Sequence, residues 1–250
     1  MTIAPPLTAS DAGTASSSAD QLAWNEPDGL KPRGTVIVIA GRGESPRVYE
    51  RFGRRISADA WRVRVVAGAH EDVAAARGRV RALLADASLP APHVIVGSDV
   101  GAALALQLAA EGVESLDAVI LAGLPTSSAH RASGEEQELR SACPMHRRTL
   151  DDESLITPGA LDLPIPDELL GIDPTGIAVP LLVVHGEADP VVSLDDVVRF
   201  TQTLGDAEVV SVAGGLHDIL NDLSHRSVAA TVVLFLERLK AGTQIVRPVA

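Results

Sequence analysis

Short apolar runs separated by helix-length amphipathic stretches set the pattern of this chain. The runs are Thr35 to Ile39, Val63 to Val66, His93 to Val96, Ala118 to Leu121, Leu181 to Val184 and Glu208 to Val212. Most of them do not alternate apolar with polar positions, which suits strands buried on both faces, as in a parallel sheet. Between them, Tyr49 to Ala58, Asp72 to Ala85, Ala102 to Ala110, Leu194 to Thr203 and Ser227 to Leu239 carry apolar residues at helical spacing. The alternation predicts the α/β class, a mostly parallel central sheet with helices on both faces.

The pattern breaks over residues 125–178, which hold scattered prolines, many charges and no strand-like run. A structureless loop of that length is uncommon and usually covers a site, so a cap insertion of mostly short helices is expected there. The core is then residues 21–124 and 179–250. Residues 1–20 are mainly Ala, Ser, Thr and Pro with little to bury, and read as a disordered tail ending near Leu22-Ala23-Trp24.

Composition narrows the function classes. Lys plus Arg number 21 against 33 Asp plus Glu, a formal charge of -12, which disfavours nucleic acid and anionic membrane as partners. Aromatic residues are 2% of the chain, so a ligand cage of Trp and Tyr is not expected. The single Cys143 excludes an internal disulfide framework and an all-cysteine zinc site. Cys143 and His146 have a spacing seen in zinc sites, but two ligands do not make one, and neither metal nor cofactor is expected. No run approaches the ~18 apolar residues that span a bilayer. The start lacks a basic segment and an apolar segment, so a cytoplasmic protein acting on a small molecule is expected, in an oligomeric state the sequence leaves open.

The chemistry gathers at strand ends, where open parallel sheets place their sites. After His93 to Val96 comes Gly97-Ser98-Asp99-Val100-Gly101 and then a helix. Glycines two residues either side of Asp99 on a strand–turn–helix match a nucleophile elbow, which lifts the central side chain out at the helix start. Ser98 would have Val96 and Val100 as its flanking residues, a poor fit. After Leu181 to Val184 comes Asp189-Pro190, the place of an orienting acid. After Glu208 to Val212, a glycine-rich loop carries His217. Nucleophile, acid, histidine is the chain order of α/β-hydrolases. Each residue also has a plainer role available: a helix cap for Asp99 and His217, a turn starter for Asp189.

With these motifs in hand, residues 22–241 resemble an α/β-hydrolase, with 125–178 in the position of the cap. Ala40-Gly41-Arg42-Gly43-Glu44 resembles the HGxGE oxyanion loop of monoacylglycerol lipases and lysophospholipases, with Ala40 in place of the family's His. That resemblance implies an oxyanion hole from the backbone N–H groups of Arg42 and Val100, each donor worth ~3 kcal/mol in the transition state. Aspartate at the elbow is similar to epoxide hydrolases and haloalkane dehalogenases. It implies attack on a saturated carbon and a covalent alkyl ester that His217, held by Asp189, hydrolyses. The cap tyrosines of the first group are missing from 125–178, and Val100 stands where the second group often has Trp. His130, Arg140, His146, Arg147 and the Arg42 side chain are the candidates to meet the leaving group, with His146 preferred. An esterase using Asp99 as base, or Ser98 through a shifted turn, is the alternative. A non-catalytic ligand-binding member of the fold is another.

Overall fold

The computed structural model describes residues 21–127 and 134–246; the expected tail and the candidate His130 lie outside the described residues. Among the described residues, seven strands form one sheet: β1 (Gln21–Trp24), β2 (Gly34–Ile39), β3 (Trp61–Val66), β4 (His93–Ser98), β5 (Ala118–Ala122), β6 (Leu181–Gly186) and β7 (Ala207–Val212). Their order is β1-β3-β2-β4-β5-β6-β7. β1 pairs antiparallel with β3, and every other pair is parallel. The sequence pattern gives no sign of β1, because so short an edge strand has no period to read.

Seven helices are present among the described residues: α1 (Glu50–Ala58), α2 (Val73–Leu84), α3 (Val100–Ala110), α4 (Glu136–Arg140), α5 (Pro144–Leu150), α6 (Leu194–Thr201) and α7 (His225–Ala241). Successive strand residues point to opposite faces. Ile37, Ile39 and Ile95 therefore pack with Val80 of α2, Leu104 of α3 and Val197 of α6. Val36, Val38 and Val94 pack the other way, against Phe52 and Ile56 of α1 and Val232 and Leu236 of α7. Both faces of β2, β4, β5 and β6 are thus buried, which is why their sequences do not alternate.

The helix expected from Ala102 starts at Val100, directly behind the turn at Asp99. Between β5 and β6 lie α4, α5 and 3-10 turns at Ala160–Asp162, Asp167–Leu169 and Pro174–Gly176. This stretch is tied to the loop after β2 by a bridge between Glu44 and Ile156 and by the Thr157 N–H donating to Gly43 O at 2.8 Å. No helix among the described residues is long and apolar enough to cross a membrane.

Candidate active site

Asp99 sits at the apex between β4 and α3 with φ 49° and ψ −121°. A non-glycine residue there carries strain of about 1–3 kcal/mol that the surroundings must hold. Three backbone bonds hold it: the Asp99 N–H donates to Ala122 O at 2.9 Å, and the Ala102 and Ala103 N–H groups donate to Asp99 O at 2.8 and 3.2 Å. The flanking glycines are required by close backbone approach. A Cβ on Gly97 would lie 2.3 Å from Gly101 O, and one on Gly101 would lie 2.2 Å from Ile39 O. Ser98 turns its hydroxyl toward Tyr49, so the apex belongs to Asp99 and the shifted turn is not formed.

His217 and Asp189 come together behind the apex. Asp189 Oδ2 lies 2.9 Å from His217 Nδ1, while its Oδ1 accepts from the N–H groups of Val191 and Val192 at 2.8 and 3.2 Å. The other imidazole nitrogen, Nε2, stands 3.4 Å from Asp99 Oδ1, an ionic contact without a hydrogen bond. His185 packs against the same acid, its Nε2 2.9 Å from Val192 O and 3.4 Å from Asp189 Oδ2. Burial lowers its pKa, as suits the core histidine the sequence suggests. His225 sits beside Asp222 O at 3.0 Å at the start of α7, also a structural position.

Arg42 contributes more than its backbone. Its N–H donates to Asp99 Oδ2 at 3.0 Å, its Nε to the same oxygen at 2.7 Å, and its Nη2 to Oδ1 at 2.9 Å. Nη1 reaches the other way, to Leu161 O at 3.0 Å and Leu163 O at 2.6 Å. Exposure is 0% for Arg42, 2% for Asp99 and 1% for His217, so the cluster is sealed. Val100 occupies the first position of α3, where a backbone N–H has no intrahelical acceptor.

These contacts fix the charges. Burial works against ionised Asp99, but the Arg42 guanidinium and His217 outweigh it and hold the carboxyl well below its usual value. Burial also opposes a charged His217, yet Asp189 and then Asp99 push its pKa up to about 10. Asp189 is held low by His217 against its own burial. At neutral pH the cluster is therefore two carboxylates, one guanidinium and one imidazolium, and His217 is not a free base.

A second buried cluster backs the first; the sequence singles out Glu44, Arg140 and His146 separately, but nothing in its pattern joins them with one another or with Asp218. The Arg140 guanidinium, from α4, donates to Arg42 O at 2.9 Å, and its Nη1 sits 3.4 Å from Glu44 Oε1 and 3.3 Å from Asp218 Oδ1. Tyr49 donates to Glu44 Oε2, which also accepts the Gly41 N–H at 2.9 Å. Burial, then the charge of Asp218, raise Glu44 to about 7 against the pull of Arg140. His146 Nε2 is 2.8 Å from Asp218 Oδ2. The preferred cap contact is thus directed at Asp218 and not at Asp99. Arg147 donates to Ser141 O at 2.6 Å, and of the arginines proposed to meet a leaving group only Arg42 bonds Asp99. Glu44, His146 and Asp218 offer ligand atoms within 4.8 Å of one another, but the Arg140 guanidinium already stands between the two carboxylates as their cation. A metal ion does not fit that charge arrangement. Cys143 lies 3.5 Å from Arg51 Nη1, apart from His146's bond.

The comparisons with known proteins agree with this architecture. A family model described as TAP-like protein matches residues 164–244. A search of curated sequences gives no match. Among solved structures, a monoacylglycerol lipase from Paleococcus ferrophilus superposes with a TM-score of 0.71 at 15% identity, covering 91% of this chain and 100% of that one. A soluble variant of monoglyceride lipase from Saccharomyces cerevisiae gives 0.69 at 14% identity, covering 92% and 99%. An esterase from a Rhodococcus species gives 0.68 at 18% identity, covering 90% and 98%. The chain has the α/β-hydrolase fold.

Proposed function

We propose that the protein is a hydrolase of a small organic molecule in which Asp99 is the nucleophile. The observation that carries this reading is Asp99 itself, held at φ 49° on the elbow apex with the His217–Asp189 pair behind it and the Arg42 N–H on its carboxylate. A carboxylate attacking an ester carbonyl would give a reactive anhydride, whereas attack on a saturated carbon gives a stable alkyl ester. Asp99 forms the bond to carbon and the leaving group departs with the electron pair. Once alkylated, Asp99 is neutral, so His217 loses one of the two charges that hold it protonated. It then releases its proton and becomes the base that deprotonates water. Hydroxide attacks the Asp99 carbonyl carbon, the Arg42 and Val100 N–H groups hold the oxyanion, and the alcohol leaves with a proton from His217.

The lipase and esterase neighbours support hydrolysis as the reaction type. A second reading, a non-catalytic ligand binder, is favoured by the double hold of Arg42 on both Asp99 oxygens. A panel of epoxides, alkyl halides and esters separates the two. The proposal expects at least one to be hydrolysed, with loss of activity in Asp99→Ala and His217→Ala and retention in Ser98→Ala. Loss in Ser98→Ala alone would return the site to the esterases. Inertness across the panel, with ligands that still raise the melting temperature, would favour the binder.

A further inference from the structure

We infer that the cleft between α1, α5 and the loop after His217 is a second binding site, which holds the phosphate group of a small organic phosphomonoester against Arg47 and Arg51. None of Arg42, Asp99 and His217 lines this cleft, so the inference is independent of the chemistry at Asp99.

The starting point is a local excess of positive charge in a chain of net charge -12. A 3-10 turn, Pro46–Tyr49, runs directly into α1, and this segment carries Arg47, Arg51, Arg54 and Arg55 against one acid, Glu50. Two of the four are neutralised. Arg54 donates to Glu50 at 3.0 and 2.7 Å, and Arg55 donates to Asp59 at 2.8 Å. Arg47 and Arg51 have no ion pair among the described residues. Asp152, which also lines the cleft, uses its Oδ1 on the N–H and hydroxyl of Ser154 at 2.9 and 2.6 Å. Four residues apart on one continuous turn and helix, Arg47 and Arg51 share a face. Both line the cleft, whose volume of about 500 Å³ lies in the range of small-molecule sites.

Arg51 is held in place without being neutralised. Its Nη1 lies 3.5 Å from Cys143 Sγ and its Nη2 donates to Asn221 O, so two of its five N–H donors are used and neither acceptor is a carboxylate. Asn221 is the second observation. It lines the cleft at 3% exposure, and its side-chain amide has no hydrogen-bond partner among the described residues. A buried amide is costly to leave unpaired, which suits a group that a ligand satisfies. His146 lines the same cleft, with its Nε2 taken by Asp218 at 2.8 Å and its Nδ1 without a partner among the described residues. A guanidinium, an amide and an imidazole nitrogen thus border one space with bonding capacity unused.

The charge count selects the ligand. Two guanidinium groups without ion-pair partners call for two negative charges, and the Arg fork matches the oxygens of a phosphate. A monoanion would leave one guanidinium unmatched. The cleft is larger than a phosphate group needs, and Val48, Leu155 and Met145, the last 62% exposed, add apolar wall. The ligand is therefore a phosphate monoester with a compact apolar body, such as one ring or a short chain.

The test titrates wild-type protein with phenyl phosphate, benzenesulfonate and inorganic phosphate by calorimetry, with thermal shift as a second readout. Benzenesulfonate keeps the shape of phenyl phosphate with a single charge, and inorganic phosphate lacks the apolar body. The inference expects phenyl phosphate to bind about tenfold more tightly than either. Arg47→Gln is expected to weaken phenyl phosphate by about tenfold without loss of stability, because Arg47 is exposed and makes no hydrogen bond among the described residues. Asn221→Ala is expected to weaken it too, while Arg81→Gln, on α2, leaves it unchanged. Equal binding of benzenesulfonate overturns the dianion. Equal binding of inorganic phosphate overturns the organic monoester and leaves a site for free phosphate. Unaltered affinity in both Arg47→Gln and Asn221→Ala, or no binding of any of the three probes, overturns the site itself.

Discussion

Arg42 and Asp99 form the pair on which the site turns. Removing one member of a buried ion pair strands the other, at a cost of about 3–5 kcal/mol, whereas replacing both is close to neutral. Arg42→Met is therefore expected to lower the unfolding free energy by about that amount at pH 7, and Arg42→Met with Asp99→Asn to recover most of it. Denaturant titration of the four proteins of the cycle measures the coupling. The deficit of the single variant should shrink as the pH falls, because Asp99 without its guanidinium can take up a proton. Equal stability of Arg42→Met and wild type would mean that the pair is not formed in solution. At Gly97 a Cβ would meet backbone at 2.3 Å, so Gly97→Ala should destabilise the fold more than an ordinary surface substitution, read by the same titration.

Among the elements, the short helices before β6 hold the site through Arg140. Its guanidinium binds the carbonyl of Arg42 and stands between Glu44 and Asp218, which joins α4 to the loop after β2 and to the loop bearing His217. Arg140→Gln should therefore speed amide hydrogen exchange in α4 and α5 well before it affects β4. Glu44 titrates higher when folded, about 7 against 4.5. A raised folded value means that its contribution is fully present below pH 4.5 and is lost as the pH rises through 7. The stability difference between Glu44→Gln and wild type should thus shift in favour of the variant across that window, and a constant difference would contradict the assignment. The strands were legible because burial on both faces leaves unbroken β-branched runs such as Val36 to Ile39. The order of Asp99, Asp189 and His217 was legible because each follows such a run. Arg140 with Glu44 and Asp218 was not, since these residues are 96 and 78 positions apart in the chain and follow no period. The second role of Arg42 was equally hidden, because a loop motif marks its backbone N–H and says little of where the side chain turns. β1 escaped because its place is set by pairing with β3.

For the molecule as a whole, the fold brings residues from four loops, those bearing Arg42, Asp99, Asp189 and His217, into one compensated set of buried charges within a chain of net charge -12. His217 has a folded pKa of about 10 against 6.5 for the free side chain. Its raised value gives stability that is complete below pH 6.5 and is lost as the pH rises through 10. Asp99, with a lowered value, gives stability that is present above pH 3.8 and is lost as the pH falls through its folded value. Unfolding measured from pH 6 to pH 10 should show the advantage of wild type over His217→Gln shrinking steadily, and a constant advantage would mean that His217 is neutral when folded. The most direct test of the whole account is the intact mass of His217→Ala after incubation with the electrophile panel. That variant keeps the nucleophile but lacks the base that frees it. The account predicts a stable mass gain that peptide mapping places on Asp99. A gain on Ser98, or unmodified protein with every electrophile, would contradict it.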